Sequence, residues 1–304
     1  MRKRIVQIFL CLLILTSAAI ALNYITAQTN PPALVLHPSN FDLTLTPGSP
    51  TKGSIFLMNT TTKTLTIQTS LRNFTAQGEE GGVNITAENT PFSLASWITV
   101  TPEKVDVPSG KEVRFDYTIN PPANAEPGGH FGSIVFGTVP SAVNNTGSAV
   151  SQEIAALILG EIPGNVKEDA VIESITTDKN FYEFGPVHFT LRVKNNGDVH
   201  IAPFGAVEVT DMLGRKFDAP LDPTNVLPNS IRRINATFAK RLLIGPYQAK
   251  IIASYGSKNL PLVGSVTFYA FPVRYAGVAL VILLIIFLLR KRLWKSFKAL
   301  VLNK

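Results

Sequence analysis

Cysteine is almost absent from this chain. The single one, Cys11, sits in an apolar run near the N-terminus, so the residues beyond it offer no thiol, no disulfide and no cysteine-based metal site. A fold there must rest on core burial alone. Secreted eukaryotic modules are often disulfide-bonded, so the lack points to a bacterial surface. Histidine is scarce too. None of His37, His130, His188 and His200 has a second His or a Cys at metal-ligand spacing. His130 follows Gly128-Gly129 and reads either as the start of a strand or as a residue at a pocket mouth. There is no Gly-x-Ser-x-Gly elbow. Glu79-Glu80 stand between Gly78 and Gly81-Gly82, which reads as a mobile loop. Carboxylates adjacent in sequence are not the pair opposed across a cleft that a glycosidase needs. Asp211, Asp218 and Asp222 lack the alternate spacing of a calcium loop. No catalytic, cofactor-binding or metal-binding residue is therefore expected, the chain is expected not to be an enzyme, and its ligand-binding residues are left unassigned.

Basic charge is missing from where a nucleic-acid binder would carry it. The net charge is +7, but Arg2, Lys3 and Arg4 lie at one end, and Arg290, Lys291, Arg292, Lys295, Lys298 and Lys304 lie at the other. Between residues 31 and 273 stand 18 basic against 21 acidic residues, a net charge of about −3. No basic stripe tracks the middle of the chain, and nucleic acid is excluded as a partner.

Two apolar segments set the expected topology. Residues 5–21 are apolar except for Gln7, Thr16 and Ser17, and end in Ala19-Ile20-Ala21, a small-x-small cleavage pattern. This reads as a signal peptide within residues 1–27, cleaved near 21/22, or as an uncleaved anchor. Residues 275–289 carry no charge and are followed by Arg290-Lys291-Arg292. With its flanks, this stretch reads as a transmembrane helix over 271–289 and a basic cytoplasmic tail over 290–304, because positive charge collects on the cytoplasmic side. Leu293, Trp294, Phe297, Leu300 and Val301 share one helical arc opposite Lys291, Lys295 and Lys298, the pattern of an interfacial helix. The expected location is the cell membrane, single-pass after cleavage, with the N-terminus outside and the ectodomain extracellular.

The ectodomain shows no long amphipathic helical pattern. Short apolar or alternating runs fall at 41–46, 54–58, 65–70, 97–101, 104–107, 112–119, 131–138 and 153–157. Further runs fall at 171–176, 187–193, 206–210, 216–220, 232–239, 247–254 and 265–270. Turn residues such as Pro47-Gly48, Pro108-Ser109-Gly110 and Asn195-Asn196-Gly197 punctuate them. About seven short strands per ~100 residues predict an all-β fold: two tandem immunoglobulin-like β-sandwiches over 28–163 and 164–270. The Asn144-Asn145-Thr146-Gly147 stretch reads as a loop or hairpin tip. Trp97 reads as a core anchor or a ligand-stacking residue. Asn59, Asn73, Asn84, Asn144 and Asn235 open Asn-x-Thr sequons, which carry glycans only in a eukaryotic secretory context.

Several of these segments resemble the WxL-interacting protein family of Gram-positive bacteria. In the first half they are Pro47-Gly48, Ser54-Ile55, Asn59, Ala95-Ser96-Trp97-Ile98 and Pro127-Gly128-Gly129-His130-Phe131-Gly132. In the second half they are Phe184-Gly185-Pro186, Val193-Lys194-Asn195-Asn196-Gly197, Leu227-Pro228 and Gly245-Pro246-Tyr247. The resemblance implies a peptidoglycan-binding first domain and a second domain for host proteins, and maps no binding residue. The function expected is a non-enzymatic membrane-anchored surface protein that tethers cell-wall polymer, a surface protein or a host protein to the membrane. The alternative is a structural subunit of an envelope assembly that docks partner strands through sandwich edges. The expected partners are the lipid bilayer and a cell-wall glycan or another surface protein, with no cofactor.

Overall fold

The computed structural model describes residues 32–139 and 151–301, and only the backbone of residues 291–301. The signal-type segment, the Asn144–Gly147 loop and the last three residues lie outside the described residues, as do the side chains of the proposed interfacial face.

Two all-β immunoglobulin-like sandwiches follow one another. The first contains β1 (Leu34–His37), β2 (Asn40–Thr44), β3 (Thr51–Asn59), β4 (Leu65–Gln77), β5 (Gly82–Thr86), β6 (Ile98–Thr101), β7 (Lys104–Val107), β8 (Glu112–Ile119), β9 (Gly128–Thr138) and β10 (Glu153–Ile162). One sheet runs β1-β3-β8-β6, and the other runs β2-β10-β9-β4-β5 with β7 also on β4. The second contains β11 (Ala170–Thr177), β12 (Phe181–Tyr182), β13 (Val187–Asn195), β14 (Phe204–Asp211), β15 (Lys216–Pro220), β16 (Ser230–Phe238), β17 (Gly245–Tyr255), β18 (Leu260–Leu262) and β19 (Ser265–Ala270). Its sheets run β11-β13-β16 and β12-β19-β17-β14-β15, with β18 on β17.

In both units the chain enters one sheet and crosses to the other. There its second strand pairs parallel to the last: β2 with β10, and β12 with β19. Repetition of this crossing, with antiparallel pairing elsewhere, defines the immunoglobulin-like arrangement without any disulfide.

Alternation explains the strands. In β13, Val187, Phe189, Leu191 and Val193 all face the core at 0% exposure while the residues between them turn outward. β9 is different, being buried along nearly its whole length. It lies in the middle of its sheet, and a 3-10 turn, Ala95–Trp97, packs on its other face. A Cβ at Gly132 would come within 3.0 Å of Leu94 and 3.2 Å of the Ala95 nitrogen, so glycine lets this turn sit on the strand.

The two units share one internal fastening. Asn59 ends β3 and Asn195 ends β13, and both side chains are fully buried. The Asn59 amide donates to the carbonyls of Lys63 and Val107, and its oxygen accepts from the Thr61 backbone. The Asn195 amide donates to the carbonyls of Val199 and Val226, and its oxygen accepts from Gly197. A buried asparagine with every polar site engaged ties the following loop to a neighbouring loop. Asn73 does similar work, accepting from Leu94 and Ala95 and donating to Glu88. Two of the sequon asparagines, Asn59 and Asn73, are thus structural.

One unbroken helix, α1 (Val273–Val301), ends the described chain. Its first 18 residues, apolar apart from Arg274 near the start and Arg290 at the end, are long enough to cross a membrane, at about 27 Å. The helix is continuous into the basic segment.

Asn195→Ala and Asn59→Ala are each expected to cost about 1–3 kcal/mol, because each strands buried carbonyls and amides. Asn196→Ala, at a half-buried neighbour, should stay within about 0.5 kcal/mol of the parent. Chemical denaturation of the three variants checks this, and equal loss at Asn196 would contradict it.

Candidate functional site

β4 is 13 residues long and outruns its sandwich. Its hairpin with β5 turns through Gly78-Glu79-Glu80-Gly81, with φ of +63° at Gly78 and +91° at Gly81. The tip meets the second sandwich on β13 and β16. The backbone N–H of Arg233 donates to the Glu79 carbonyl at 2.9 Å. The Glu79 carboxylate takes Nε of Arg192 at 2.9 Å, a second nitrogen of the same guanidinium, and Nε of Arg233 at 3.2 Å. Arg233 also pairs with Glu80, and Arg192 with Glu173 at 3.0 Å. A Cβ at Gly81 would stand about 2.0 Å from the Arg232 guanidinium, so glycine is needed there for space as well as for its φ. The hydrogen bond from Arg192 holds the Glu79 carboxyl below its ordinary 4.5; desolvation opposes this, and the charges of Arg192 and Arg233 add to the lowering. The mobile loop expected at Glu79-Glu80 is therefore corrected. These residues are the pins of an interdomain joint, fixed by partners more than a hundred residues away in sequence.

The Pro127-Gly128-Gly129 segment forms the second part of the joint. The Gly129 N–H donates to the Asp198 carbonyl at 2.8 Å. Cβ atoms at Gly128 and Gly129 would stand 3.1 Å from the Asp198 oxygen and 3.3 Å from the Val199 Cα, so side chains here would wedge the domains apart. His200 of the second sandwich is buried and bonds Asp42 of the first through Nε2 at 3.0 Å. Its ring meets Phe131 edge-on at 5.7 Å. Phe74, Phe131 and Leu159 of the first unit and Leu227 of the second form a small shared core.

Beside this joint lies a cleft of about 330 Å³ with walls from both sandwiches. Phe74, Val83, Leu157, Leu159 and Leu227 supply apolar lining. Asn40, Asn225, Ser230 and Arg232 supply polar lining. Phe74 is only 2% exposed, so it offers no open ring face for a sugar.

The four histidines are not brought together. His37 is exposed, stacks on Phe56 and lies 3.4 Å from Glu112. His130 is buried, 4.5 Å from the Trp97 ring, with Nε2 on the Glu126 carbonyl at 3.0 Å. His188 faces Thr237 at 3.2 Å on the surface. Only His200 reaches the joint. Trp97 packs against the first core. Asp211 is buried and accepts from the backbone N–H groups of Leu213 and Arg215 and from the Arg215 guanidinium. Among the described residues no three His, Cys, Asp or Glu side chains are grouped to hold a metal. The joint and its cleft escaped a reading by motif because neither contains one. The available signal was the pair of glutamates flanked by glycines, facing Arg192 and Arg232-Arg233.

The geometry defines a class: a two-domain immunoglobulin-like protein with a fixed interdomain cleft. No protein-family model matches the chain, and no curated protein matches it. Among solved structures it is similar to the class 5 fimbriae chaperone CfaA, at 15% identity over 77% of this chain and 98% of that one, with a TM-score of 0.39. It is also similar to a chaperone–tip subunit complex, CsuC–CsuE, of Acinetobacter baumannii, at 13% identity over 79% and 100%, with a TM-score of 0.36. The E. coli chaperone DraB gives 13% identity over 77% and 94%, with a TM-score of 0.37. Likenesses at this level assign no ligand. The resemblance drawn from turn motifs is corrected: no family model and no curated relative supports WxL-interacting membership. The wall tether, peptidoglycan binding and the envelope-assembly alternative are corrected with it. Of the motifs that suggested them, Gly128-Gly129 lies in the joint, and Asn59 and Asn195 fasten loops.

The joint should loosen in acid. Folding lowers the Glu79 pKa, so its contribution is full above the ordinary value and is lost as pH falls through the lowered folded value. Fluorescence energy transfer between labels on the two sandwiches should fall below about pH 4.5 in the parent. Glu79→Gln should show the loosened distance already at pH 7, with little further change in acid. An unchanged distance in that variant would remove Glu79 from the joint.

Proposed function

We propose that this chain is a non-enzymatic protein-binding module, held at a membrane by α1, that receives a segment of a partner polypeptide in the cleft between its sandwiches. The observation that carries this reading is a cleft with walls from both domains beside a joint of charge-assisted bonds. Such a cleft is preformed, so little ordering entropy is lost when a ligand enters. Its lining suits a peptide: apolar side chains can seat against the half-buried Val83 and Leu157, while Asn40, Asn225 and Ser230 offer neutral donors and acceptors for a backbone. A wall glycan would be better served by open aromatic faces.

The membrane setting is part of the proposal. α1 carries no charge over residues 275–289, and beyond its first turn, where Arg274 and Tyr275 meet Glu183 and Phe184, its apolar side chains stand exposed. The basic residues after position 289 favour the cytoplasmic side, which would put both sandwiches outside. A cysteine placed at Lys258 should therefore react with an impermeant reagent in intact cells, and one at Lys304 should not. The opposite labelling would reverse the orientation.

A photo-crosslinking residue at Asn225 in the full chain, in membranes of the source cell, should capture a protein partner. The same residue at Thr99, on β6 of the first sandwich, should not. Val83→Arg, which puts a long charged side chain in the cleft, should weaken capture at least about tenfold, or about 1.4 kcal/mol. Equal capture from both positions, or adducts with glycan alone, would sink the reading.

A further inference from the structure

The strands of the second sandwich meet the helix at one end of a sheet. Asp211, the last residue of β14, pairs with Tyr247, and Gly245, the first of β17, pairs with Ala270, the last of β19. Only Phe271 and Pro272 separate Ala270 from the first residue of α1. The helix therefore starts within about 11 Å of the sheet end, even at full extension. The connection is also fastened. The Phe271 N–H donates to the Tyr182 carbonyl at 2.9 Å, and the Arg274 N–H donates to Glu183 at 2.7 Å. The Arg274 guanidinium pairs with the same carboxylate at 3.2 Å, and Tyr275 meets Phe184 edge-on at 5.4 Å.

The loops at this end are unusually apolar for turns. Met212 and Leu213, between β14 and β15, are 59% and 68% exposed. Leu242 and Ile244, before β17, are 54% and 47% exposed, and Phe271 is 48% exposed. The two loops adjoin, the Met212 sulfur standing 2.5 Å from where a Cβ on Gly245 would be, and Gly245 pairs with Ala270, the neighbour of Phe271. Arg241 is exposed in the loop before β17, while Arg215, in the loop after β14, is held on the Asp211 carboxylate at 2.7 Å.

We infer that this end of the second sandwich is a lipid-contacting collar, whose five apolar side chains enter the headgroup region around the emerging helix while Arg241 faces anionic headgroups. The inference rests on the reading of α1 as a membrane span. If α1 spans, a two-residue fastened connection leaves the sheet end no room to stand away from the bilayer surface. Apolar side chains with a basic one beside them are the composition that partitions into an anionic interface.

The test uses the full chain in a Cys11→Ser background, reconstituted in vesicles of phosphatidylcholine and phosphatidylglycerol. An environment-sensitive fluorophore is placed singly at Leu213→Cys, Leu242→Cys, Val263→Cys and Leu284→Cys, and lipids spin-labelled near the headgroup or deep in the chain serve as quenchers. Val263 is 77% exposed beyond the far end of β19, and Leu284 lies inside the span. The expected result is blue-shifted emission at Leu213 and Leu242 quenched by the shallow label, quenching at Leu284 by the deep label, and water-like emission at Val263. If Leu284 is quenched while Leu213 and Leu242 stay water-like, the collar is overturned and the span stands. If Leu284 is not quenched, the span itself fails and the collar with it. Blue-shifted emission at Leu213 that no lipid quenches would mean that a second copy or another protein covers this end, which also overturns the inference.

Discussion

A single carboxylate, that of Glu79, is received by two guanidiniums of another domain, and the arrangement of the molecule follows from it. Arg192 and Arg233 lie side by side across β13 and β16, directly opposite in register. Two like charges so placed repel each other unless an anion lies between them. Glu79 is that anion, and it reaches them only because β4 is long enough to carry its turn beyond its own sandwich. The backbone bond from Arg233 to the Glu79 carbonyl then fixes the tip against the edge of β16. The cleft lies against this contact, and Gly81 and Arg232 belong both to its wall and to the joint.

The fold was largely legible because it rests on period-two alternation, which is local. Val187, Phe189, Leu191 and Val193 announce β13 with no knowledge of what they pack on. The strands that escaped notice lack such a signature. β1 is four residues confined between prolines, β12 has two residues, β18 has three, and β5 follows Gly81-Gly82 with polar residues interleaved. These strands exist because a neighbouring edge offers them backbone partners, which sequence alone does not display.

The site was far less legible. A glutamate between glycines looks like a solvated loop until its arginines are known, and those arginines stand on strands of another domain. Gly128-Gly129 looked like the prelude to a core strand; its role is to let two backbones touch. Resemblance by turn motifs failed for the same physical reason. Glycines and asparagines record where a chain bends or where backbones approach, and unrelated ligands can be served by the same bends. The apolar turns at Met212-Leu213 and Leu242-Leu243-Ile244 did break the rule that turns are polar, and the departure gained meaning only once the helix was seen to leave from the same end.

The short fastened passage from Ala270 to Val273 also bears on how the molecule meets others. A flexible tether of twenty residues would let a head group tumble and sample every orientation above the surface. Here the swivel is absent: if the helix is upright in a bilayer, the head can spin about one axis but cannot tip or drift away. Its search for another molecule in the same membrane is then a planar one, with most orientational freedom already surrendered before contact. Encounters among such confined bodies need less entropy at the moment of binding, so modest contacts in the cleft can suffice between neighbours in a membrane where the same contacts would fail between molecules free in solution.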